Sequence, residues 1–265
     1  MKNICLLTSN KLSGYTTDDH LLEKELLSQG HKVKYKDWET LEDEGEDYFL
    51  IRTTWNYTEN VSLFLEKLKT IQDRLWNPLP LVEWNSNKKY LIDLQEKGVP
   101  VIPLKNISDR SSLLAGMEEL GGEEFIIKPF VGASAKGLIR FKKDELPDIS
   151  GEMILQKFLP QITQGEVSLF FINKQLVYAV TKVPKEGDIR VQEEHGGSIQ
   201  LHIPTDEEVD IGIQTISSIP FPWLYARVDI VPGAGLIELE CIEPSFYFSK
   251  YNKSAGLLAE ALLAH

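Results

Sequence analysis

The start of the chain restricts the fold most, because short apolar runs alternate there with amphipathic segments. Runs with the length of buried strands occur at Ile4–Thr8, Val33–Tyr35 and Tyr48–Arg52. One helix is predicted between Asp19 and Gly30 and another at Val61–Ile71, since their apolar residues form one face. Strands and helices that alternate in this way favour a parallel sheet covered by helices. Residues 1–80 are therefore predicted to form a small α/β lobe.

The pattern changes after Pro78 and Pro80, which mark the end of this first lobe. Val101-Ile102 is predicted to be a short strand, and most of residues 124–241 has the pattern of strands. Asn173-Lys174 fits the turn of a hairpin, which indicates antiparallel pairing in this part. The predicted fold class is thus mixed α/β and α+β. It consists of the small parallel α/β lobe at 1–80 and two α+β lobes at 81–160 and 161–265.

The net charge limits the partners of this 265-residue chain. Its formal charge of −12 would repel nucleic acid and anionic membranes, so neither is an expected partner. An anionic nucleotide is still compatible, because local lysines, arginines and a bound metal can form a positive pocket. No apolar segment approaches the roughly 18 residues of a membrane-spanning helix, and the N-terminus does not resemble a signal peptide. Cys5 and Cys241 lie in apolar runs and are predicted to be buried thiols, so a cytoplasmic location is expected.

A lysine at the end of an apolar strand is the first candidate for a binding site. Lys128 ends the run Phe125–Lys128, and burial of its charge is unfavourable unless an anion meets it. Small residues follow at Val131–Gly137, including Ser134, and their backbone N–H groups can approach phosphate oxygens. The loop lacks the Gly-Lys-Ser/Thr ending of a Walker A sequence. An ordinary exposed lysine before a flexible turn is the alternative interpretation.

Three acidic residues near the C-terminus form the second candidate. Strand alternation places Glu238 and Glu240 on one face of a strand, opposite its apolar residues. Asp229 lies near the end of the preceding strand, across a short turn, and is close enough to join them. Like charges side by side repel unless a cation bridges them, and carboxylate oxygens together with nucleotide phosphates describe a magnesium site. A solvated acidic face on an edge hairpin is the alternative.

A third motif lies between these two, where an apolar strand and a short loop lead to Gly165-Glu166. The order of the three motifs resembles that of the ATP-grasp family along nearly the whole chain. The resemblance implies that the carboxylate of Glu166 binds the ribose of ATP. It also implies that adenine is contacted by the backbone of the preceding segment, which comprises Gln156, Lys157, Phe158 and Leu159.

The same resemblance assigns residues to the phosphates and to the metal. The two nucleotide lysines of the family correspond to Lys128 and to one lysine of Asn87-Lys88-Lys89, where Lys88 is preferred to Lys89. The Arg-x-Asp strand of the family corresponds to Arg227–Asp229, and its Glu-x-Asn metal strand corresponds to Glu238–Glu240. The cofactor implied is Mg²⁺ or Mn²⁺, together with ATP.

One departure from the family pattern concerns the metal strand. Glu240 stands where the family has Asn, and Glu243 precedes a proline one residue later than usual. Whether Glu238 or Glu243 joins Asp229 and Glu240 at the metal is therefore left open, although the strand-face argument favours Glu238.

Within the family, the chain is most similar to small glutathione-synthetase-like and cycloserine-ligase-like members. They have an arginine followed by Ser/Thr, Thr, Trp and an aromatic stretch, which is similar to Arg52–Tyr57. Arg52 ends a strand, where α/β sheets bind ligands, and its guanidinium could hold a substrate carboxylate bidentately. Asp188–Gln192 resembles the mobile loop over the phosphates, with Arg190 as a contact to phosphate or acyl phosphate. His195 follows this loop, and a solvated loop histidine is its alternative interpretation.

The resemblance implies an ADP-forming ligase that activates a small-molecule carboxylate as an acyl phosphate and joins it to an amine. Arg190 and Arg227 would stabilise charge on the transferring group. Alternatives on the same scaffold are a carboxylate–thiol ligase, a kinase-like enzyme and a peptide-tailoring ligase. A nucleotide-binding protein that acts through a partner without turnover is the alternative of another class. Relatives of this architecture are often oligomers, so a homodimer is compatible with the sequence.

Overall fold

A parallel sheet opens the fold of the computed structural model, which describes residues 1–12, 17–132, 136–187 and 196–264. Its strands have the order β2-β1-β3-β4, and their ranges are β1 Asn3–Thr8, β2 Lys32–Asp37, β3 Tyr48–Thr53 and β4 Leu75–Trp76. Helices α1 (His20–Ser28) and α2 (Val61–Lys69) connect the strands. The side chain of Asn60 accepts a hydrogen bond from the Leu63 N–H and so caps α2. The predicted parallel α/β arrangement is confirmed.

The second sheet is antiparallel, with the strand order β5-β8-β6-β7. Its strands are β5 Leu104–Ile107, β6 Glu124–Pro129, β7 Ile139–Lys142 and β8 Met153–Lys157. Helices α3 (Leu79–Asn85) and α4 (Tyr90–Glu96) precede it, and α5 (Arg110–Leu120) follows β5. Sequence reasoning missed α3, because Pro80 was interpreted only as a break. Proline is tolerated in the first turn of a helix, where no intrahelical partner awaits its nitrogen.

The prediction that Val101-Ile102 forms a short strand is wrong. Val101 forms an isolated parallel bridge to Leu236, which belongs to the third sheet. Only one residue of this segment pairs with a neighbouring strand, so it forms a bridge that connects two parts of the fold.

The third sheet is also antiparallel and has the order β11-β10-β9-β12-β13. Its strands are β9 Glu166–Ile172, β10 Gln175–Val183, β11 Ser198–His202, β12 Tyr225–Val231 and β13 Gly235–Glu240. Asn173 and Lys174 both have positive φ (47° and 65°), as the predicted hairpin between β9 and β10 requires. Helix α6 (Asp206–Ser217) lies between β11 and β12.

The C-terminal helix α7 (Ser254–Leu263) returns to the start of the chain and packs against α1. One buried apolar cluster accordingly joins Leu6 and Leu50 of the first sheet to Phe170, Tyr225 and Leu258. Each sheet lies within one of the three predicted segments, and the division into lobes near residues 80 and 160 stays a prediction. No helix in the described ranges is long and apolar enough to cross a membrane.

Candidate active site

The pairing of β12 with β13 brings three carboxylates together. Asp229 lies directly opposite Glu238 in the antiparallel register, and Arg227 lies opposite Glu240. Asp229, Glu238 and Glu240 each present a carboxylate oxygen, and these oxygens lie within 4.8 Å of one another. Such an arrangement of like charges is unfavourable without a cation, and it provides the hard oxygen donors that Mg²⁺ prefers.

Two basic side chains partly neutralise this cluster. Arg227 Nε lies 3.0 Å from Asp229 Oδ1 and its Nη2 lies 2.9 Å from Oδ2, while Nη2 also contacts Glu240. Lys182 contacts Glu166, and its Nζ lies 3.4 Å from Asp229 Oδ2. Burial opposes the charge of Asp229, but Arg227 and Lys182 outweigh it and hold the pKa of Asp229 below its usual value.

Glu240 differs from Asp229 in the balance of these effects. Burial raises the pKa of Glu240, and the negative charges of Asp229 and Glu238 raise it further. The positive charges of Arg227 and Lys182 oppose this rise, and the resulting pKa is about 7. Burial of Glu240 and its repulsion from the two neighbouring carboxylates would both be relieved by a divalent cation, so the electrostatics of the cluster suit a cation site.

Lys182 is a site residue that sequence reasoning missed. It is buried in β10 and lies in register with Glu166 of β9. The Asn173-Lys174 turn indicates that the two strands pair, but a register shift between Leu176 and Tyr178 is needed to bring Lys182 opposite Glu166, and the sequence pattern does not reveal that shift. Glu166 therefore forms an ion pair with Lys182 and is linked through it to Asp229, and its predicted role at the ribose stays a prediction.

Of the two adjacent lysines, the structure brings only Lys88 to the carboxylates. Lys88 Nζ lies 2.8 Å from Glu238 Oε1 and 2.6 Å from the carbonyl oxygen of Gly132. Lys89 Nζ instead lies 2.7 Å from Glu152 Oε2 in an exposed pair.

Lys128 lies in β6 and interacts electrostatically with Glu238, Lys88 and Glu166. Its ammonium has no hydrogen-bond or ion-pair partner among the residues that the structure describes. Burial, together with the charge of Lys88, lowers the pKa of Lys128 to about 8. A largely desolvated cation without an anion is what a phosphate-binding position requires.

Glu243 is buried beside the three-carboxylate group without belonging to it, as far as the described residues show. Burial and the charge of Glu240 raise the pKa of Glu243 to about 8. Its backbone carbonyl accepts a hydrogen bond from Trp55 Nε1 at 3.2 Å. The geometry thus favours Glu238 as the third member of the cluster.

Side chains from α3, α4 and the segment before them cover the outer edge of β13, which ends the third sheet. Asn85 Nδ2 donates to the Leu239 carbonyl at 2.9 Å, and Asn85 Oδ1 accepts from the Cys241 N–H at 2.8 Å. The Tyr90 hydroxyl accepts from the Leu239 N–H at 3.1 Å, and Asn77 Nδ2 donates to the Cys241 carbonyl at 2.8 Å. These side chains take the place of a further strand, so they fix the backbone that carries Glu238 and Glu240.

The start of β13 is held in the same way. The Ile102 N–H donates to the Leu236 carbonyl at 2.9 Å, and the Leu236 N–H donates to the Pro100 carbonyl at 2.8 Å. Gly235 has a φ of 125°, and a Cβ there would lie 2.2 Å from the Pro100 oxygen, so only glycine fits. The segment that carries Lys88 is thereby attached to the metal strand at both ends of that strand.

The predicted adenine segment lies at the end of β8. Gln156 is buried and its Nε2 donates to the Ile102 carbonyl at 3.2 Å, whereas Lys157 is exposed. Phe158 is buried under the guanidinium of Arg140, whose Cζ lies 3.6 Å from the ring centroid. Leu159 follows in a half-buried position. The roles of these residues at adenine stay predictions.

Arg52 is the penultimate residue of β3, one residue before the end of the strand, and its guanidinium is already engaged. Its Nε and Nη2 lie 3.1 Å and 2.8 Å from Asp19 Oδ1, and Nη2 also donates to the Pro244 carbonyl at 3.3 Å. Asp19 would have to move before the Nε and Nη2 groups of Arg52 could bind a substrate carboxylate bidentately. Ser134, Arg190 and His195 lie outside the described residues.

The fold and the site together define a protein of the ATP-grasp type. The chain belongs to the family of the prokaryotic glutathione synthetase ATP-grasp domain, whose model matches residues 96–245. Residues 4–77 match the model of the N-terminal domain of the D-cycloserine synthetase DcsG.

Individual relatives agree with this assignment. The cycloserine biosynthesis protein DcsG of Streptomyces lavendulae is 26% identical over 262 residues, covering 85% of this chain and 86% of the relative. The crystal structure of D-cycloserine synthetase DcsG superposes with a TM-score of 0.81 at 22% identity over 98% of each chain. The ATP-grasp ligase PsnB, with its minimal precursor, has a TM-score of 0.72 at 19% identity, covering 100% of this chain and 99% of PsnB.

These findings confirm the predicted family and fold class. The protein is an ADP-forming ligase of the ATP-grasp type. The family uses ATP and Mg²⁺, and one structure of PsnB holds Mg and ADP. The homodimer and the cytoplasmic location stay predictions from the sequence.

Proposed function

We propose that this ligase activates a small-molecule carboxylate with ATP as an acyl phosphate and then joins the acyl group to an amine. One observation carries the proposal: the three-carboxylate cluster lies beside two half-buried lysines, Lys88 and Lys128, and Lys128 has no anionic partner among the described residues. Phosphoryl transfer needs this combination of a cation site and positive side chains around the phosphates.

The donor set fits Mg²⁺ or Mn²⁺, because Asp229, Glu238 and Glu240 offer three converging carboxylate oxygens. When bound, the ion supplies charge neutralisation at the phosphates. The raised pKa of Glu240 supports this assignment, because burial and repulsion from Asp229 and Glu238 both oppose its negative charge, and a bound cation would relieve them.

The side chains of this chain have separate tasks in the proposed reaction. Lys88 and Lys128 hold the phosphates of ATP, while Glu166 and the backbone at 156–159 bind the nucleoside. A carboxylate oxygen of the substrate attacks the γ-phosphorus, and ADP leaves. The amine then attacks the acyl carbon, phosphate leaves, and the amine loses a proton. Arg227 and Arg190 stabilise the negative charge of the transferring group.

The relatives support a small-molecule acid as the substrate. The names of the relatives include cycloserine biosynthesis protein and glutathione synthetase, and cycloserine and glutathione are both small molecules.

The test is an ADP-release assay over pairs of carboxylates and amines, with hydroxylamine as a trap for the acyl phosphate. We expect ADP release that requires a carboxylate, and a hydroxamate when hydroxylamine replaces the amine. Asp229→Ala and Glu240→Ala should abolish turnover, whereas Glu119→Ala, at an exposed ion pair with Lys105, should not. Turnover at an unchanged rate in Asp229→Ala would sink the assigned metal site, and ADP release without hydroxamate would exclude the acyl phosphate.

A further inference from the structure

Tyr247 has a backbone conformation that aromatic residues rarely adopt. Its φ and ψ are 47° and 49°, in the left-handed region, which is unfavourable for a residue with a Cβ. The neighbouring residues Phe246 and Phe248 are buried and stack on each other, with ring centroids 5.2 Å apart. The Tyr247 carbonyl accepts from the Lys250 N–H at 2.9 Å. Strain of this kind persists only where the surroundings impose it, and it is concentrated at functional sites.

The ring of Tyr247 lies beside the charged residues of the third sheet. It packs edge-on against Phe170, with ring centroids 6.2 Å apart and ring planes at 87°. Phe170 of β9 lies directly opposite Arg227 of β12, and side chains paired in this way share one face of the sheet. The phenol interacts electrostatically with four charged residues of the proposed active site, which are Lys182, Arg227, Asp229 and Glu240. Tyr247 therefore forms part of the wall of that site.

The hydroxyl of Tyr247 is available to a ligand. It forms no hydrogen bond within residues 1–12, 17–132, 136–187 and 196–264. Tyr247 is half-buried, and its hydroxyl is not one of the side-chain atoms that are fully buried without a partner in these ranges. Burial raises the pKa of Tyr247, although the charges of Lys182 and Arg227 oppose this rise. The phenol therefore keeps its proton at neutral pH and can donate a hydrogen bond.

Tyr247 approaches the active site from the side of the first sheet. The segment Phe246–Phe248 packs in the apolar cluster that also contains Leu6 of that sheet. The lysines proposed to hold the phosphates come from elsewhere, since Lys128 lies in β6 of the second sheet and Lys88 precedes α4. In phosphoryl transfer, the attacking and leaving oxygens lie roughly in line, on opposite sides of the phosphorus. A group on the side away from these lysines therefore meets the acid rather than ADP.

We propose that Tyr247 is a catalytic residue whose hydroxyl donates a hydrogen bond to the acyl oxygen of the acyl phosphate. The inference rests on the proposed function, because it assigns a residue to that reaction. As the amine nitrogen bonds to the acyl carbon, the π electrons of the carbonyl move to its oxygen, and the hydroxyl stabilises the negative charge. The carbonyl then re-forms, and the carbon–oxygen bond to phosphate breaks with its electron pair leaving on phosphate. The amine loses its proton to water, and Tyr247 keeps its own.

The experiment compares the wild type with Tyr247→Phe, which removes the hydroxyl and keeps the ring that packs against Phe170. The acid and the amine are the pair that gives the fastest ADP release in the wild type. In a quenched single turnover with enzyme in excess over ATP, ADP formation measures phosphoryl transfer and amide formation measures attack by the amine. We expect Tyr247→Phe to leave ADP formation nearly unchanged and to slow amide formation about 100-fold, because one donor to the developing oxyanion is lost.

Tyr251→Phe is the matched control. It removes a hydroxyl from the same part of the chain, where the Tyr251 ring stacks on Tyr178 with centroids 5.2 Å apart, and it should slow neither step. The melting temperature of Tyr247→Phe without ligands should equal that of the wild type, because the substitution breaks no hydrogen bond among the described residues. A hydroxyl that only supports the fold would instead lower the melting temperature and affect both steps alike.

The outcomes separate failure of this assignment from failure of the proposed function. If Tyr247→Phe forms the amide at the wild-type rate, or slows both steps equally, the role of Tyr247 is overturned and the proposed ligation stands. If the wild type releases no ADP with any acid and amine, the proposed ligation is overturned, and the assignment of Tyr247 with it.

Discussion

The ammonium of Lys88 lies 2.8 Å from the carboxylate of Glu238, so a proposed phosphate ligand and a proposed metal ligand neutralise each other. Burial opposes both charges, yet the pair raises the pKa of Lys88 and lowers that of Glu238. When a metal binds Glu238 and a phosphate binds Lys88, two new ion pairs replace the Lys88–Glu238 pair. The first ligand to bind must break that pair, and the second then binds a side chain that is already free. Binding of either ligand therefore favours binding of the other.

Lys88→Met should lower kcat/KM for ATP by about 10- to 100-fold, because one charge-assisted hydrogen bond to phosphate is lost. It should also strengthen binding of Mg²⁺ in the absence of nucleotide, since Glu238 is freed from its partner. Titration calorimetry with Mg²⁺ alone and initial rates at varied ATP measure the two effects. Lys89→Met, at the exposed pair with Glu152, is the matched control and should change neither.

Lys128 should make nucleotide binding sensitive to alkaline pH. Its pKa in the folded protein is lowered to about 8 by burial, so the free enzyme loses this charge as the pH rises through 8. KM for ATP should therefore increase above pH 8. Lys128→Arg should remove this increase, because arginine stays charged.

The pH dependence of stability at Lys128 should be opposite to that of ATP binding: ATP binding should weaken as the pH rises, whereas the contribution of Lys128 to the free energy of unfolding should increase. The unfolded chain holds the Lys128 proton up to the ordinary pKa of 10.5, whereas the folded chain loses it near 8. Between these values the unfolded state binds more protons, so Lys128 makes the free energy of unfolding rise with pH. Glu243 also titrates near 8, and the comparison with Lys128→Arg assigns the effect. If KM for ATP and the free energy of unfolding depend on pH in the same way in the wild type and in Lys128→Arg, the role of Lys128 is refuted.

Asn85→Leu should weaken the metal site without touching a carboxylate. The substitution leaves the Leu239 carbonyl and the Cys241 N–H buried without partners, which should lower the free energy of unfolding by about 2–4 kcal/mol. Because β13 loses its outer support, the Mg²⁺ concentration for half-maximal activity should rise. Urea unfolding and a Mg²⁺ titration of activity check both. Asn106→Leu removes an amide that donates to exposed Glu152, and it should have little effect on either.

Lys182→Met should be the most destabilising of these changes. It leaves Glu166 and Asp229 buried without their shared cation, and the loss of one partner of a buried pair typically costs about 3–5 kcal/mol. Lys182→Arg should recover part of the stability and of the activity. Lys105→Met breaks an exposed pair and should change stability by less than about 1 kcal/mol. Equal effects of the changes at 182 and 105 would show that the Lys182 pairs contribute nothing.

Much of the fold could be predicted because local patterns and tertiary packing agree. The parallel strands of the first sheet and the hairpin at Asn173-Lys174 follow from apolar periodicity and turn chemistry, which depend on neighbouring residues. The cluster of Glu238 and Glu240 with Asp229 could be predicted for the same reason, since a short turn joins β12 to β13. Helix α3 was missed because a proline at a helix start and a proline at a break look alike in sequence.

The sequence by itself thus determined the family, the order of the motifs and the face of the metal strand. Only the tertiary structure decided which groups compensate the buried charges. It pairs Arg52 with Asp19, Lys182 with both Glu166 and Asp229, and Lys88 with Glu238. It also covers the edge of β13 with the amide of Asn85. These partners are far apart in the chain, and no local periodicity encodes a contact that forms only when separate elements pack.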